Sequence, residues 1–132
     1  MQRYQGLAVT NIKLHFAWNT KDNKQILAGQ IKHRLLEILR QDCYSKNIDV
    51  LEGKIGSDYV HMALLCPAKL AATQIAKQLK GRSSRMLQTE FPKLKEELGG
   101  NALWSDVYHC YSYGDMTAQE VQRLIKGDNS DF

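Results

Sequence analysis

Residues 48–66, IDVLEGKIGSDYVHMALLC, contain two apolar-rich runs that are separated by a turn signal. The runs at 48–56 and 58–66 have the length and composition of strands, and Gly56-Ser57-Asp58 between them is typical of a hairpin turn. The sequence therefore predicts a β-hairpin near the middle of the chain.

The second strand of this hairpin contains a histidine, His61. Successive side chains of a strand point to opposite faces, so every second residue shares a face. One face is formed by Tyr59, His61, Ala63 and Leu65. The other face is expected to point into the core and is formed by Val60, Met62, Leu64 and Cys66. A single histidine on a strand is more often structural than functional, so a role for His61 needs support from the rest of the chain.

Upstream of the hairpin, the sequence predicts a strand and then a helix. Apolar residues alternate with other residues between positions 11 and 18, which is typical of a half-buried strand. The alternating apolar residues are Ile12, Leu14, Phe16 and Trp18. Residues 25–45 repeat apolar side chains at helical spacing and therefore predict an amphipathic helix. Its apolar stripe contains Ile31, Leu35, Ile38 and Leu39.

Downstream of the hairpin, a second long helix is predicted at residues 70–90. Its apolar stripe contains Ala72, Ile75, Leu79 and Met86, and its opposite side Lys77, Lys80, Gly81 and Ser84. Pro92 ends that helix or lies just beyond its end, and Gly99-Gly100 forms a flexible turn. A last strand is expected at residues 103–113. The capping box at 117–120, TAQE, then starts a short terminal helix.

The order of these elements is βαββαβ plus a terminal helix. It predicts an α+β fold of the ferredoxin-like or RRM-like type, a split βαββαβ antiparallel sheet with helices on one face. At 132 residues the chain is expected to form a single domain, residues 1–132. Many unrelated functions share this fold, so the fold alone does not settle the function.

Positive charge is segregated along the chain. Residues 1–36 contain one acid, Asp22, and the six basic residues Arg3, Lys13, Lys21, Lys24, Lys32 and Arg34. Residues 59–89 contain no acid and the five basic residues Lys69, Lys77, Lys80, Arg82 and Arg85. Segregated positive charge favours a polyanionic partner, although a solvated helix face produces the same pattern.

The cysteines and the apolar segments indicate the compartment. The three cysteines are far apart in sequence and form no CxxC pair, which favours a reducing, cytoplasmic setting. No apolar stretch approaches the length of a membrane span, and residues 1–10 lack the layout of a signal peptide. The sequence therefore predicts a soluble cytoplasmic protein that has no membrane partner.

Several strings along the chain resemble one family of DNA enzymes. These strings are LHFAWNTK at 14–21, SDYVHMALL at 57–65, LKGRSSRML at 79–87 and FPKLKEELGGNALW at 91–104. In this order they resemble the single-tyrosine HUH transposases, which include insertion-sequence TnpA-like enzymes and REP-associated tyrosine transposases. The resemblance covers residues 11–126. It implies a homodimer that acts in DNA transposition and recombination on single-stranded or hairpin DNA of a mobile element.

The resemblance also implies a metal site and a nucleophile. In the family, two histidines on one strand bind Mg²⁺ or Mn²⁺, and a tyrosine on the terminal helix attacks the DNA phosphorus. Here Tyr59 stands at the first histidine position and only His61 remains. Leu124 stands at the position of the nucleophile, and Asp128 lies near that of the last metal ligand. We therefore expect weak or absent metal binding by His61 and Asp128, and impaired or absent strand cleavage.

The DNA surface is expected to include the LKGRSS element of the second helix and the tryptophan that follows the glycines. The predicted DNA-binding residues are Lys21, Lys77, Lys80, Arg82, Ser83, Ser84, Arg85 and Trp104. His15 shares a strand face with Lys13, and this face is a further candidate for phosphate contact. The homodimer rests on the resemblance, because the sequence itself shows only an apolar-rich strand pair that could supply an exposed edge.

Three alternatives remain open at this stage. An active transposase with a rearranged centre would use Tyr111 or Tyr113 of the last strand as its nucleophile. An RNA- or protein-binding split-βαβ module would use stacking aromatics on the exposed sheet face, for which the candidates are Tyr59, Trp104 and Tyr111. An unrelated metal site could combine His61, His109 and Cys110, although their spacing matches no familiar zinc pattern.

Overall fold

The computed structural model describes residues 11–112 and 130–132. Its elements follow the predicted order, with a 3-10 turn at Lys21–Asn23 after the first strand. They are β1 (Asn11–Thr20), α1 (Gly29–Ser45), β2 (Asp49–Ile55), β3 (Tyr59–Pro67), α2 (Ala72–Glu90), α3 (Pro92–Leu98) and β4 (Trp104–Ser112). Tyr113, the predicted terminal helix, Leu124 and Asp128 lie outside the described residues. Across the described ranges, none of the helices has the length and apolarity needed to cross a bilayer.

The four strands form one sheet in the order β2-β3-β1-β4. Every neighbouring pair is antiparallel, as a split βαββαβ arrangement requires. The register pairs Ala17 of β1 with His61 of β3 on one side and with His109 of β4 on the other. The α+β antiparallel fold predicted from the element order is therefore confirmed.

One face of the sheet is buried beneath α1 and α2. The predicted inward residues of β3, Val60, Met62, Leu64 and Cys66, are all buried. They meet Phe16 and Trp18 of β1 in one core cluster with helix residues such as Leu35 and Leu79. Full burial of a large apolar side chain contributes about 1.5–3 kcal/mol. Ile12 continues the alternation of β1 but is 37% exposed.

A short helix, α3, was missed in the sequence. The sequence predicted that Pro92 ends the second helix or lies just beyond its end, and α2 does end at Glu90. Pro92 is also the first residue of α3, which the sequence analysis did not predict. Proline suits the first turn of a helix because its missing N–H has no acceptor there. Gly99 then ends α3 in the left-handed conformation at φ 57°, which glycine adopts without a Cβ clash. The short helix buries Leu94 and Leu98.

Residues 130–132 lie along the outer edge of β2. The Asp131 N–H donates to the Gly53 carbonyl at 2.7 Å, and the Ile55 N–H donates to the Asp131 carboxylate at 2.7 Å. The Gly53 N–H donates to the Ser130 hydroxyl at 3.0 Å. A Cβ at position 53 would overlap the ring of Phe132. Glycine at this position therefore lets the aromatic ring pack directly on the strand.

Candidate functional site

The face of the sheet that α1 and α2 leave uncovered carries a row of four rings. The row is formed, in order, by Tyr59, His61, His15 and Tyr111, and we call it the ring row. Its ring centroids are separated by 4.8 Å from Tyr59 to His61, 5.8 Å from His61 to His15, and 4.8 Å from His15 to Tyr111. Three adjacent strands, β3, β1 and β4, supply these rings. The register of the sheet therefore brings together side chains that are far apart in sequence.

His15 is the most buried member of the ring row. Its side chain is only 6% exposed, and both ring nitrogens are buried without a hydrogen-bond partner. Burial, together with the smaller effect of the neighbouring charge of His61, lowers the pKa of His15 to about 4. The ring is therefore neutral at physiological pH. The expectation that His15 contacts phosphate beside Lys13 is wrong for the described structure, because a buried neutral imidazole neither reaches nor attracts an anion at the surface.

His61 is partly buried between two other rings of the row. Burial lowers its pKa below the usual value for histidine. The Tyr59 ring packs on one side of His61 and closely over Gly56, where a Cβ would overlap that ring. The position that the family resemblance reserves for a first histidine is thus filled by a packed aromatic ring.

Of the two metal ligands that the resemblance implies, only His61 is among the described residues, because Asp128 lies outside them. Within 11–112 and 130–132, no three His, Cys, Asp or Glu side chains come together as a candidate metal centre. The alternative site of His61, His109 and Cys110 is wrong, because Cys110 pairs with Phe16 and lies on the core face. His61 and His109, which both pair with Ala17, lie on the opposite face.

A basic groove lies on the other side of the molecule, between α1 and α2. It has a volume of about 490 Å³ and is lined by Asp42, Lys46, Lys77, Gln78, Arg82 and Arg85. Lys46 forms an ion pair with Asp42. Among the described residues, no ion pair involves Lys77, Arg82 or Arg85. These three side chains therefore present positive charge to solvent along α2, and we call them the α2 cations.

Two of the predicted DNA-binding side chains are part of the core instead. Ser83 is fully buried and Trp104 is nearly so. The Trp104 indole N–H donates to the Ser83 hydroxyl at 3.0 Å, and that hydroxyl donates to the Leu79 carbonyl at 2.6 Å. The prediction that these side chains contact DNA is therefore wrong, and Trp104 is equally unavailable as a stacking platform for RNA. Position 83 lies one helical turn from Leu79 and Leu87, on the buried stripe of α2.

Lys80 is also turned away from open solvent. Its ammonium donates to the Ser105 carbonyl at 2.7 Å and lies 5.7 Å from the centroid of the Tyr108 ring. Burial lowers the pKa of Lys80 below the usual value for lysine. This lysine therefore ties α2 to β4, whereas it was predicted to project from the solvent side of the helix. Ser84 accepts a hydrogen bond from the Gln88 amide at 2.9 Å, and Lys21 lies in the 3-10 turn after β1.

Comparison with known families decides what kind of protein carries this fold and these two faces. Residues 8–128 match the sequence model of the family described as Transposase IS200 like.

The chain belongs to the IS200-like transposase family.

Individual relatives agree with this assignment. This IS200-like transposase is 29% identical to the ISDra2 transposase TnpA of Deinococcus radiodurans over 121 residues, which are 92% of this chain and 86% of that protein. It is 33% identical to the transposase for insertion sequence element IS200 of Salmonella typhimurium over 116 residues, 88% of this chain and 76% of that protein. The family resemblance predicted from the sequence strings is therefore confirmed.

Solved structures support the same fold. A crystal structure from Deinococcus radiodurans that is assigned as a transposase has a TM-score of 0.76 and 27% identity, and the similarity covers 98% of both chains. A REP-associated tyrosine transposase bound to a REP hairpin has a TM-score of 0.62 over 95% of this chain and 68% of that one. Its sequence identity is 9%, so this second likeness concerns the fold alone.

Sequence reasoning missed the pairing of the two histidines in this IS200-like transposase. Alternation placed His15 and His61 on particular faces of two strands, but the faces become one surface only through the register of β1 against β3. No local pattern specifies that register. The sequence did contain one clue. Both histidines alternate with large apolar residues that point into the core, so both must lie on the opposite face of their strands.

Proposed function

We propose that this family member binds single-stranded or hairpin DNA through the α2 cations and is impaired or inactive in strand cleavage. The observation that carries the binding proposal is the row of the α2 cations, Lys77, Arg82 and Arg85, along one groove of about 490 Å³. A guanidinium matches the planar geometry of a phosphate and can bind it through two hydrogen bonds. The membership of the transposase family supports DNA as the polyanion.

The proposal of impaired cleavage rests on two positions. A covalent protein–DNA link of the family type needs a phenolic oxygen, and Leu124, which lies outside the described residues, offers only a hydrocarbon side chain. At the metal site, Tyr59 places a phenol where the family has an imidazole nitrogen donor. A phenol is a poorer ligand than imidazole for divalent ions such as Mg²⁺ and Mn²⁺. We therefore expect DNA binding to be largely indifferent to both ions, and His61 with Asp128 to hold them weakly.

We also propose that the chain forms a homodimer and is located in the cytoplasm. The outer edge of β2 is covered by residues 130–132 between Gly53 and Ile55. β4 is the other edge strand, and it exposes Val107 to 60%. An edge strand that exposes an apolar side chain can serve as a template for pairing with a second copy. The cysteines Cys43, Cys66 and Cys110 are free, which fits a reducing compartment.

The binding proposal is tested by the salt dependence of affinity for a single-stranded DNA hairpin. Each phosphate contact contributes a slope of about −0.7 to the log–log plot for single strands. We expect the double variant Lys77→Ala, Arg82→Ala to flatten the slope by about 1.4. Lys93→Ala with Lys95→Ala on α3 removes the same charge from another surface and should leave the slope nearly unchanged. Equal slopes for the wild type and the α2 variant would reject this surface.

Cleavage is tested with the same labelled hairpin in the presence of Mg²⁺ or Mn²⁺. The unmodified chain is expected to form no covalent adduct with DNA. The double variant Tyr59→His, Leu124→Tyr restores both missing groups and should regain nicking if the rest of the scaffold is intact. A metal-dependent adduct of the unmodified chain would overturn the inactive interpretation.

One observation favours an active transposase with a rearranged centre as the second candidate. The Tyr111 ring packs 4.8 Å from the His15 ring, and Tyr111 is 43% exposed. A phenol beside a histidine pair has the neighbours that a tyrosine nucleophile needs. If an adduct forms, peptide mapping of the attached residue distinguishes Tyr111 from Tyr113, and Tyr111→Phe should abolish the adduct only in the first case.

A further inference from the structure

One wall of the basic groove carries a buried carboxylate. Asp42 of α1 is only 4% exposed, and it lines the groove together with Lys46, Gln78 and the α2 cations. One of its oxygens, Oδ1, pairs with the Lys46 ammonium. The other oxygen, Oδ2, is buried and has no hydrogen-bond partner within the part of the chain that the structure describes. Buried polar atoms are almost always satisfied, so an unused acceptor beside a cavity indicates a ligand that supplies the donor.

The charges of the groove divide it into two parts that suit different ligand groups. The α2 cations attract phosphate and donate hydrogen bonds to it. An ionised carboxylate has only acceptors and repels a phosphate. The ligand group that reaches Asp42 must therefore be a hydrogen-bond donor without negative charge. Phosphates and deoxyriboses inside a DNA strand have no such donor, whereas every base carries at least one N–H group.

The base that best matches a carboxylate is guanine. Its Watson–Crick edge presents two neighbouring donors, N1–H and the N2 amino group, and a carboxylate accepts two parallel hydrogen bonds. On the same edge, adenine, cytosine and thymine each present one donor beside an acceptor, and that acceptor would face the second carboxylate oxygen. Cytosine occupies this edge of guanine in a duplex, so the guanine must be unpaired. The groove volume of about 490 Å³ lies within the range of about 300–1,000 Å³ for small-ligand sites, so it has room for one nucleotide.

The Lys46 ammonium lies on the Asp42 carboxylate, so it has to yield when a base enters. The Lys46 side chain is 23% exposed, and its long stem is flexible. A phosphate of the entering strand offers this ammonium another anionic partner in the same groove. Exchange of Lys46 from Asp42 to the phosphate frees the carboxylate for the base and leaves neither group without a partner.

We propose that Asp42 selects an unpaired guanine in the bound DNA, while the α2 cations hold the phosphates around it. The proposal rests on the proposed function, because it assigns a base preference to the same groove. Phosphate contacts position DNA but carry no direct sequence information. Asp42 supplies what the α2 cations alone lack, which is a means of distinguishing one sequence from another.

The experiment uses fluorescently labelled DNA hairpins that share one stem and carry a single-stranded extension of thymines. One thymine at a time is replaced by guanine, adenine or cytosine, and the affinity of the full-length chain is measured by anisotropy at fixed salt. At one position, guanine should bind about tenfold more tightly than the other bases, as expected for a bidentate base contact. Hypoxanthine lacks the N2 amino group and should lose most of this preference. The base 7-deazaguanine keeps the Watson–Crick edge and should bind as tightly as guanine.

Asp42→Asn is the diagnostic variant, because it keeps the shape of the side chain and replaces an acceptor by a donor. It should reduce the preference for guanine to less than about twofold. The affinity for the all-thymine hairpin should stay the same or rise, since a negative charge has been removed. Glu37→Gln is the matched control, because Glu37 pairs with Arg34 elsewhere on α1 and does not line the groove. This control removes the same charge and should keep the full preference.

The proposal is overturned if guanine and adenine bind equally at every position, if the preference survives in Asp42→Asn, or if 7-deazaguanine binds as weakly as adenine. None of these results changes the salt slopes of the α2 variants, so base selection and DNA binding through α2 fail separately. No binding of any hairpin would overturn both proposals. Should Asp42→Asn fail to fold by circular dichroism, carboxyl-carbon NMR of the wild type decides the question. The Asp42 signal should shift with the guanine hairpin alone, and equal shifts with the adenine hairpin would overturn the assignment.

Discussion

At the scale of single residues, Ser83 lies within a basic string but has a structural role. Its hydroxyl bridges the Leu79 carbonyl and the Trp104 indole N–H, so it joins α2 to the start of β4. Arg82 on the preceding position points to the groove instead. Neighbouring positions of a helix differ in direction by about 100°. The LKGRSS string therefore contributes both a cation of the basic groove and an anchor for the last strand.

Replacement of Ser83 by alanine should destabilise the fold without changing the DNA contacts that we propose for the α2 cations. The Trp104 N–H would remain buried without an acceptor, which costs about 1–3 kcal/mol. Urea unfolding should show this loss, while the salt slope of DNA binding stays at the wild-type value. Ser84→Ala is the neighbouring control and should cost less than about 0.5 kcal/mol. Equal losses in the two variants would contradict the assigned role of Ser83.

The buried His15 should make stability depend on pH. Its pKa in the folded chain is about 4, below the value near 6.5 for an exposed histidine. Between these two values the unfolded chain binds more protons, so the free energy of unfolding falls as pH falls from about 6.5 to about 4. The loss is at most about 3 kcal/mol. We expect His15→Gln to reduce the dependence of the free energy of unfolding on pH between about 6.5 and 4. The free energy is measured by urea unfolding in the presence of EDTA.

His33→Gln is the control for that measurement, because His33 lies exposed on α1. It should keep the wild-type dependence on pH between about 6.5 and 4. His61, whose pKa burial also lowers, contributes in the same direction, so His15→Gln reduces the slope without removing it. An unchanged slope in His15→Gln would show that the His15 ring is solvated in solution.

At the scale of elements, the sequence predicted what local periodicity determines. The alternation in β3 correctly placed Val60, Met62 and Leu64 in the core, because a strand has a period of two wherever it pairs. The predicted bounds of the second helix, 70–90, agree with Ala72–Glu90 to within two residues, because the helical spacing of its apolar residues is also a local pattern. The first helix was expected from residue 25 but begins at Gly29, since no capping residue marks its start.

Long-range pairing explains what could not be predicted. The ring row depends on the register of three strands, and the attachment of Asp131 to β2 joins residues 76 positions apart. The sequence predicted that Ser83 contacts DNA, because its basic neighbours in the LKGRSS string are adjacent to it in the chain. The partner of its hydroxyl, Trp104, lies 21 residues away and could not be identified from the string. Both cases require knowledge of which elements touch.

The attachment of residues 130–132 to β2 should be sensitive to the side chain at position 53. Gly53→Ala introduces a Cβ that overlaps the Phe132 ring, so the ring and the neighbouring Asp131 should move away from the strand. The Ile55 amide, which donates to Asp131, should then exchange its hydrogen faster. Gly81→Ala is the paired control inside α2 and should stabilise the helix by up to about 1 kcal/mol. Unchanged protection of Ile55 in Gly53→Ala would argue against the attachment in solution.

At the scale of the whole molecule, two faces and two edges have different properties. The helix face presents the α2 cations, and the opposite face of the sheet holds the ring row. The β2 edge is covered in part by residues 130–132 through backbone and side-chain hydrogen bonds. The β4 edge exposes Val107. A second copy that pairs with β4 would extend the sheet and place two ring rows on one continuous surface.

The dimer proposal predicts that a charge on β4 weakens association more than the same charge on β2. Lysine on an edge strand opposes pairing because the charge would be buried against the second strand. Val107→Lys should therefore shift the chain towards monomer in sedimentation velocity at micromolar concentration. Leu51→Lys places the same charge at an exposed apolar position of β2 and should leave the dimer intact. If the wild type sediments as a monomer at every concentration, or if both variants dissociate equally, β4 is not the dimer interface.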